Sequence, residues 1–408
     1  MIKRIILIII IILMMIGGAV YISYDAKKED KIREDIKQNE KNSYDAIFDY
    51  LKLELDNENI IYSPLSIRTA FAMLREGSSG ETKKELDKLF TGVNVRKYKN
   101  SEKLSFANSI FVNNDYKKLI KDSYIKILKN KYYSEVLYDD FNGPDVINSW
   151  VKKNTLNLID KVLDYLTPEE KIVLVNALAI DLKWMNEFET TNTSGSEFTL
   201  LDGSKYNATT MHNTYSDYAS YYKDDDVSVV SLALEKVDKV DLEFIAIMPN
   251  DIEDYVSKLN NETLYKDLDK LKKATKDKKL RLSIPKFKFD YSLKLKDDLE
   301  KLGINRVFTS NAELNKIGKD IFVDDAIHKA TIDFSEKGIK AAAVTAIVMK
   351  NSSIDMSQYV NIEINKPFIF IIKDKNTSDV WFIGTVLKPN SWEEDKDWYN
   401  PKFNDEEL

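Results

Sequence analysis

Few residues in this chain could act as nucleophiles or bases. It has only two histidines, His212 and His328, and no cysteine, so thiol nucleophiles, disulfides and thiolate metal sites are excluded. The Gly-Ser-Ser-Gly run at 77–80 lacks the G-x-S-x-G spacing of a nucleophile elbow and is interpreted as a turn between helices. H-E-x-x-H, P-loop and dinucleotide motifs are absent from the sequence. We therefore predict no enzyme activity, no cofactor and no metal site.

The composition indicates one large globular domain. Of the 408 residues, 43% are hydrophobic and 11% aromatic, enough for a sizeable core, and no linker separates two cores. The 67 acidic and 60 basic residues are interspersed rather than gathered into a basic stripe, which makes nucleic acid an unexpected partner. We predict that the chain acts as a monomer, with its domain at 43–390.

The segments flanking this domain differ from it in composition. Residues 1–26 contain an uncharged run, Ile5–Ile22, which as a helix would span roughly 27 Å and could cross a bilayer. Lys3 and Arg4 before it predict a transmembrane signal anchor that leaves the domain on the extracellular side. A cleaved signal peptide is the alternative and would give a secreted protein. Residues 27–42 are interpreted as a charged tether and residues 391–408 as an acidic tail.

Apolar spacing predicts helices in the first part of the domain. Pro64 opens a helix that buries Ile67, Ala70, Phe71 and Leu74. Thr82 and Glu85 have the spacing of a capping box for the next helix. A further helix is predicted over Val146–Leu163.

Strand patterns dominate the later part of the domain. The predicted strands are Leu104–Val112, Val227–Leu234, Leu242–Met248, Leu280–Phe289, Phe368–Ile372 and Val380–Val386. In Leu280–Phe289 the apolar phase shifts across Pro285, which predicts an edge position or a bulge. Helices followed by strands indicate an α+β fold rather than a doubly wound parallel sheet.

A series of motifs runs through the domain at Asn59–Ile67, Ala72–Leu74, Gly77, Gly80, Thr82, Asn148, Trp150, Val151, Thr155, Ile159, Val175–Ala177, Trp184, Phe188, Met211, Pro285–Phe287, Leu302–Ile304, Phe308, His328–Ala330, Glu336–Gly338, Ala341–Ala343, Asn365–Phe368, Gly384 and Pro389. In these residues and their order the chain resembles one known family, the serpins. The chain departs from the family pattern at Asp181–Lys183 and at Ile339, where Thr or Ser is usual. Each motif alone is weak, whereas their shared order is specific.

The resemblance implies a serpin fold with a large central β-sheet, about eight or nine helices and an exposed reactive loop at about 336–360. A target serine or cysteine protease would cleave this loop, and the arm before the cut would insert into the sheet while the protease stays covalently bound. The resemblance also implies where that insertion begins: Trp184 and His328 would form a pair there. The insertion hinge would comprise Glu336, Gly338, Ile339, Ala341, Ala342 and Ala343.

Side-chain alternation shows whether the loop could insert. From Ile339 the inward-facing residues would be Ile339, Ala341, Ala343, Thr345 and Ile347, all apolar or Thr. Lys340 would face solvent. The alanine run alone could also form a helix, but the β-branched residues that follow favour a strand.

The sequence leaves several alternatives for the bond that the protease would cut. Seventeen residues counted from Glu336 place the bond between Ser352 and Ser353, and counting back from Asn365 places it between Met356 and Ser357. Cuts after Met349 or Lys350, the second just before Asn351, are also possible. The predicted function is suicide trapping of a protease. The alternative is a non-inhibitory serpin that serves as a surface binding or chaperone module.

Overall fold

The computed structural model describes residues 48, 51–52, 58–90, 96, 98–215, 217–272, 279–340, 359–377 and 379–399. The predicted membrane segment and tether (1–42) and the loop residues 341–358 lie outside the described residues. Within the described ranges, no helix is both long enough and apolar enough to cross a bilayer.

Helices open the described domain and recur between its strands. They are α1 (Pro64–Gly77), α2 (Gly80–Phe90), α3 (Asp122–Ile127), α4 (Asp145–Lys153), α5 (Ile252–Ser257), α6 (Asn261–Lys272), α7 (Leu295–Lys301) and α8 (Trp392–Tyr399). Short 3₁₀-helices lie at Asn114–Leu119, Thr190–Asn192 and Arg306–Phe308, and a short π-helix lies at Leu128–Tyr132.

Helix α1 lies in the core and is buried on nearly all sides. Its start is as predicted: Pro64 occupies the first turn, and the Ser63 side chain accepts a hydrogen bond from the Ser66 amide at 3.1 Å. The predicted buried face is confirmed at Ile67, Ala70, Phe71 and Leu74. A helix that is buried all round belongs between layers, and α1 contacts strands of two different sheets.

The predicted capping box of the second helix is wrong. Helix α2 begins at Gly80, and Thr82 lies inside its first turn. The Glu313 carboxylate, more than 200 residues away in sequence, accepts hydrogen bonds from the amides of Glu81 and Thr82 at 2.6 and 3.2 Å. A tertiary carboxylate therefore caps this helix, and Glu85 instead accepts from the Asn305 amide at 2.9 Å.

The helix predicted over Val146–Leu163 is shorter than expected. Helix α4 ends at Lys153, and soon afterwards Leu156 and Asn157 adopt left-handed backbone angles with φ of 57° and 56°. Left-handed residues end a helix because they turn the chain out of its path.

Strands fill most of the remaining chain. They are β1 (Ile60–Tyr62), β2 (Leu104–Asn113), β3 (Glu135–Asp139), β4 (Ile172–Ile180), β5 (Leu182–Lys183), β6 (Thr193–Thr199), β7 (Lys205–Tyr215), β8 (Ala219–Lys223), β9 (Val227–Ala233), β10 (Leu242–Pro249), β11 (Lys279–Pro285), β12 (Phe287–Lys294), β13 (Asp325–Ser335), β14 (Gly338–Ile339), β15 (Tyr359–Glu363), β16 (Phe368–Asp374) and β17 (Val380–Val386).

These strands form three sheets in the described part of the chain. The central sheet has the order β3-β2-β4-β13-β14-β5, and β12 pairs along the opposite edge of β13. The second sheet has the order β1-β17-β16-β10-β9-β8, and the third has the order β15-β11-β7-β6. Helix α1 packs against β17, β4 and β2. The α+β prediction with a large central sheet is confirmed.

The predicted strand Leu280–Phe289 is two strands in two sheets, and the second has the expected edge position: among the described strands β12 pairs only with β13. Strand β11 lies between β15 and β7, whereas β12 joins the central sheet. Lys286 between them donates its amide to the Thr209 carbonyl at 2.8 Å and accepts from the Asn390 amide at 3.0 Å. The apolar phase shifts there because the chain passes from one sheet to another.

Candidate functional site

The two inner strands of the central sheet, β4 and β13, pair directly over only part of their length. Their parallel ladder runs from Val173 opposite Asp325 to Ala177 opposite Lys329. We call this the closed half. In the remainder, Leu178–Ile180 of β4 and Ala330–Ser335 of β13, the strands diverge, and we call this the open half.

The short strand β14 occupies the far end of the open half. Ile339 lies opposite Phe334 of β13 and opposite Leu182 of β5, and both pairings are antiparallel. The Lys340 amide continues the ladder by donating to the Asp333 carbonyl at 2.7 Å. The same edge of β13 therefore pairs with β4 in the closed half and with β14 in the open half.

The fit of β14 depends on a glycine. A Cβ on Gly338 would lie 2.1 Å from the Leu182 carbonyl oxygen and 2.7 Å from the Lys183 Cα. Both neighbours are backbone atoms of β5 and cannot rotate away. Only glycine lets β14 approach β5 closely enough to pair.

Trp184 holds the turn between β13 and β14. It is 4% exposed, its indole Nε1 donates to the Ser335 carbonyl at 2.8 Å, and its amide donates to the Lys337 carbonyl at 3.0 Å. Its ring meets Phe334 edge-on with centroids 5.1 Å apart. Hydrogen bonds and aromatic packing thus fix the turn before the loop.

Glu336 is the buried carboxylate of this turn, at 3% exposure. Thr193 Oγ1 donates to its Oε1 at 2.9 Å, the Tyr399 hydroxyl donates to the same oxygen, and Lys286 Nζ lies 3.5 Å from Oε2. We call Glu336, Thr193, Lys286 and Tyr399 the Glu336 cluster. Burial, followed by the bond to Glu336, raises the pKa of Tyr399 well above its usual value, so its hydroxyl stays a donor. A buried carboxylate is tolerated when charge and hydrogen bonds satisfy it.

The closed half is joined by a buried polar network around His328. Its Nε2 accepts from the Ser63 amide at 2.9 Å, so Nδ1 carries the proton and lies 3.1 Å from Asn176 Oδ1. The Asn176 amide group donates to the Ser66 carbonyl at 2.9 Å and to Asn108 Oδ1. Burial lowers the pKa of His328 to about 3, and the ring is neutral at pH 7. The network ties β4, β13 and β2 to the start of α1.

His212 makes a different set of contacts, on the third sheet. Its Nδ1 lies 2.8 Å from Ser283 Oγ of β11, and its Nε2 lies 3.4 Å from Ser194 Oγ of β6. The sequence did not reveal this serine contact, because strand register sets it. Burial lowers the pKa of His212. Both ring nitrogens thus link neighbouring strands. Among the described residues, no cluster of His, Asp and Glu side chains could hold a metal ion.

The predicted site residues fall into three groups. Trp184, Glu336, Gly338 and Ile339 come together at the open half, and Ile339 is 2% exposed. His328 does not join them: it lies in the closed half, seven residues before Ser335 on β13, which is roughly 23 Å at about 3.3 Å per residue. The expected pairing of Trp184 with His328 is therefore not seen. Outside the described residues lie Ala341, Ala342, Ala343, Met349, Lys350, Asn351, Ser352, Ser353, Met356 and Ser357.

The sequence pattern did not reveal the partners of Glu336. Lys286 stands out in the sequence only as part of the Pro285–Phe287 motif, and Tyr399 falls in the segment interpreted as an acidic tail. The start of that segment is instead the packed helix α8. The sequence does contain a signal for this packed helix, because three aromatic residues are unusual in a solvated tail: Trp392, Trp398 and Tyr399.

Comparisons with known proteins agree with this architecture. The family model described as serpin (serine protease inhibitor) matches residues 44–389. A bovine (Bos taurus) alpha-1-antiproteinase is 29% identical, over 91% of this chain and 92% of its own. An uncharacterized serpin-like protein of Thermococcus kodakarensis is 28% identical, over 83% of both chains.

A solved structure shows the same fold. The native state of tengpin, a thermophilic serpin, superposes with a TM-score of 0.74 at 28% identity and covers 86% of this chain and 94% of its own. The family match covers well over half of the sequence, and the chain belongs to the serpin (serine protease inhibitor) family.

Proposed function

We propose that this protein inhibits a serine or cysteine protease by suicide trapping, in which the cleaved loop inserts between β4 and β13. The observation that carries the proposal is β14. It is already paired with β13 and β5 at the open half, and its chain leads directly into the loop. An extended chain adds to a sheet edge through main-chain hydrogen bonds, and here two edges face each other.

The register of β14 leads a longer strand into the closed half without a shift. Ile339 is paired with Phe334 and Leu182, and continuing both ladders brings Thr345 opposite His328 on one side and Asn176 on the other. His328 and Asn176 are themselves paired in the β4–β13 ladder. An entering strand would therefore replace that ladder residue by residue. One-residue slips would move every side chain to the wrong face.

The inward face of the loop matches the surface that it would cover. Continuing the ladder places Ile339, Ala341, Ala343, Thr345 and Ile347 opposite buried residues. Their β13 partners would be Phe334, Ile332, Ala330, His328 and Ala326, each at most 2% exposed. Apolar side chains and one Thr can enter such a surface without bringing in a charge.

The outward face of the loop also suits its surroundings. Lys340 lies in the ladder between Asp333 and Asp181, whose carboxyls would face its ammonium group. Further along, Val344, Ala346 and Val348 would lie opposite Ala177, Val175 and Val173. Those three β4 residues are fully buried in the apolar cluster beneath α4. The side chains of Ile339 and Lys340 therefore do not oppose entry, and the Lys340 backbone, with a φ of 45°, must become extended as the strand lengthens.

Trapping follows from the order of the chemical steps. The protease nucleophile attacks the carbonyl before the scissile bond, that peptide bond breaks, and the new amino terminus leaves with the chain that continues to β15. The acyl ester or thioester stays on the arm. If this arm is the seventeen residues from Glu336 to Ser352, it is roughly 56 Å long as a strand at about 3.3 Å per residue, and its insertion would carry the protease toward the far end of the sheet.

The cell compartment is part of the proposal. The hydrophobic run Ile5–Ile22, preceded by Lys3 and Arg4, supports an exported inhibitor, either anchored to the membrane or secreted. The inhibitor acts as a monomer because trapping needs one loop and one sheet from the same chain.

The proposal is tested by incubating the full-length protein with trypsin-like, elastase-like and subtilisin-like proteases and one cysteine protease. We expect an SDS-stable complex with at least one of them. Mass spectrometry of the released C-terminal peptide then distinguishes a cut at Ser352–Ser353 from a cut at another bond between Met349 and Ser357. Loop cleavage without any covalent complex would contradict the proposal and favour the non-inhibitory binding module.

A further inference from the structure

The chain carries a helix beyond the part that matches its family. The family match ends at residue 389, whereas α8 spans Trp392–Tyr399. The Asn390 carbonyl accepts from the Thr209 amide at 3.0 Å, and Asp395 accepts from Thr209 Oγ1 at 2.8 Å. These bonds hold the helix against β7 of the third sheet.

A matching recess in the sheet receives the helix. A Cβ on Gly195 of β6 would lie 2.6 Å from the Trp392 ring, so only glycine leaves room for that side chain. The Trp392 ring in turn stacks on Tyr399 with centroids 5.4 Å apart. Both the recess and the stack orient the Tyr399 hydroxyl.

The oriented hydroxyl reaches the turn that precedes the loop. Tyr399 donates to the buried carboxylate of Glu336, three residues before Ile339, and accepts from Lys286 Nζ at 2.9 Å. The Glu336 carbonyl accepts from the Phe188 amide at 2.9 Å, which ties the same residue to the chain after β5. Glu336 thus connects β13, β14, the β5 side of the sheet and α8.

We propose that Tyr399 is a positioning residue for the inhibitory reaction: through Glu336 it holds the β13–β14 turn and delays loop entry until the loop is cut. The inference rests on the proposed function. In the uncleaved chain the loop is tethered at both ends, and entry requires β4 to move away from β13. A fixed turn resists that movement at the point where it would begin.

Removing the Tyr399 hydroxyl should therefore let the uncleaved loop enter the sheet more quickly. A hydrogen bond to a buried charged group is strong enough that Tyr399→Phe should speed spontaneous conversion to the loop-inserted form about tenfold. The ring stack on Trp392 survives this substitution. A second variant, Gly195→Val, should displace Trp392, misplace the Tyr399 hydroxyl and give the same effect without substituting any residue of the Glu336 cluster.

The chain offers a matched control on another surface. Tyr255 donates its hydroxyl at 2.6 Å to Asp267, a buried carboxylate that also pairs with Lys270 at 3.0 Å. Tyr255→Phe deletes the same kind of hydrogen bond, here between α5 and α6 and away from the loop. This variant shows how much the loss of a buried tyrosine–carboxylate hydrogen bond elsewhere in the protein speeds conversion.

The experiment incubates full-length wild type and the three variants at one elevated temperature without protease. Conversion is followed by native and urea-gradient gels, which separate the unfolding-resistant inserted form. We expect Tyr399→Phe and Gly195→Val to convert about tenfold faster than wild type and Tyr255→Phe to match it. Equal rates for Tyr399→Phe and wild type, or equal acceleration by Tyr255→Phe, would overturn the inference.

A cleaved wild-type sample separates this inference from the proposed function. If cleavage raises the stability of wild type while Tyr399→Phe converts at the wild-type rate, only the role of Tyr399 fails. If cleavage leaves the stability of wild type unchanged, loop insertion itself fails.

Discussion

The closed and open halves of the central sheet use the same two strands, β4 and β13, yet are held together differently. In the closed half the strands share a direct ladder, and His328 and Asn176 link them further through buried hydrogen bonds. In the open half β14 lies between β13 and β5, and Trp184 and Glu336 hold the turn from outside the ladder.

If the loop inserts as proposed, the difference locates the barrier to insertion. The open half already accommodates an extra strand, whereas the closed half must break its ladder and its polar network before one can enter. Under the proposed mechanism the uncleaved state would persist because a barrier protects it rather than because it is the most stable arrangement. Changes at the open half should therefore act on entry of the loop, and changes at the closed half on stability and its pH dependence.

The largest expected effect comes from a charge at the open half. Ile339→Arg would place a guanidinium at a 2% exposed position with no partner, which costs several kcal/mol. The charge should drive β14 out of the sheet in the uncleaved chain and would have to be buried again during insertion. Because each 1.4 kcal/mol is tenfold in rate, trapping should fall at least about 100-fold while loop cleavage continues. The measurement is the fraction of protease recovered in the SDS-stable complex.

The matched control is Lys340→Arg, one residue further and on the outward face. It keeps its charge between Asp181 and Asp333 and should trap protease like the wild type. Equal trapping by Ile339→Arg would mean that trapping does not need the strand that begins at β14 to lie in the sheet.

A smaller effect, on stability, is expected from replacing Gly338, which precedes Ile339 in β14. Gly338→Ala would drive a Cβ into the Leu182 carbonyl, separate β14 from β5 and destabilise the protein by about 1–3 kcal/mol. Gly143→Ala is the control, since a Cβ there meets nothing within 4 Å. Urea unfolding midpoints compare the two, and similar midpoints would argue against the close approach of β14.

The closed half should give the protein a pH-dependent stability. Burial holds the folded pKa of His328 at about 3, against about 6.5 when unfolded, so below pH 6.5 the unfolded chain binds the extra proton. The stability that the neutral His328 ring contributes is thus fully present above pH 6.5. It is lost on acidification, and the free energy of unfolding falls by about 1 kcal/mol between pH 7 and pH 5.5.

His328→Gln should reduce that loss when urea midpoints are compared at pH 7 and pH 5.5. Burial lowers the pKa of His212 too, so its effect has the same sign, and His212→Gln serves as the reference. An unchanged pH dependence in His328→Gln would contradict a neutral, buried ring.

Local sequence patterns predicted those parts of the fold that local forces decide. Helix α1 starts at Pro64 because proline and the Ser63 cap favour that start, and the C-terminal strands β16 and β17 follow their apolar runs. Alternation along the strand placed Ile339 on the inward side, and its side chain is buried.

Long-range contacts explain what the sequence could not predict. Glu313 caps α2 from more than 200 residues away, and Tyr399 meets Glu336 from 63 residues away. The separation of His328 from Trp184 likewise follows from strand register, which no local pattern encodes. These contacts depend on how the sheets are assembled.

Thermal unfolding of the full-length protein before and after a single cut in the loop is the most direct test of loop insertion. An inserted strand from Lys340 to Val348 would add hydrogen bonds on two edges, each contributing roughly 1 kcal/mol, so cleavage should raise the midpoint by at least about 10 °C. The cleaved Ile339→Arg protein should show little of this rise. A cleaved wild-type protein that melts at or below the temperature of the intact chain would contradict insertion between β4 and β13.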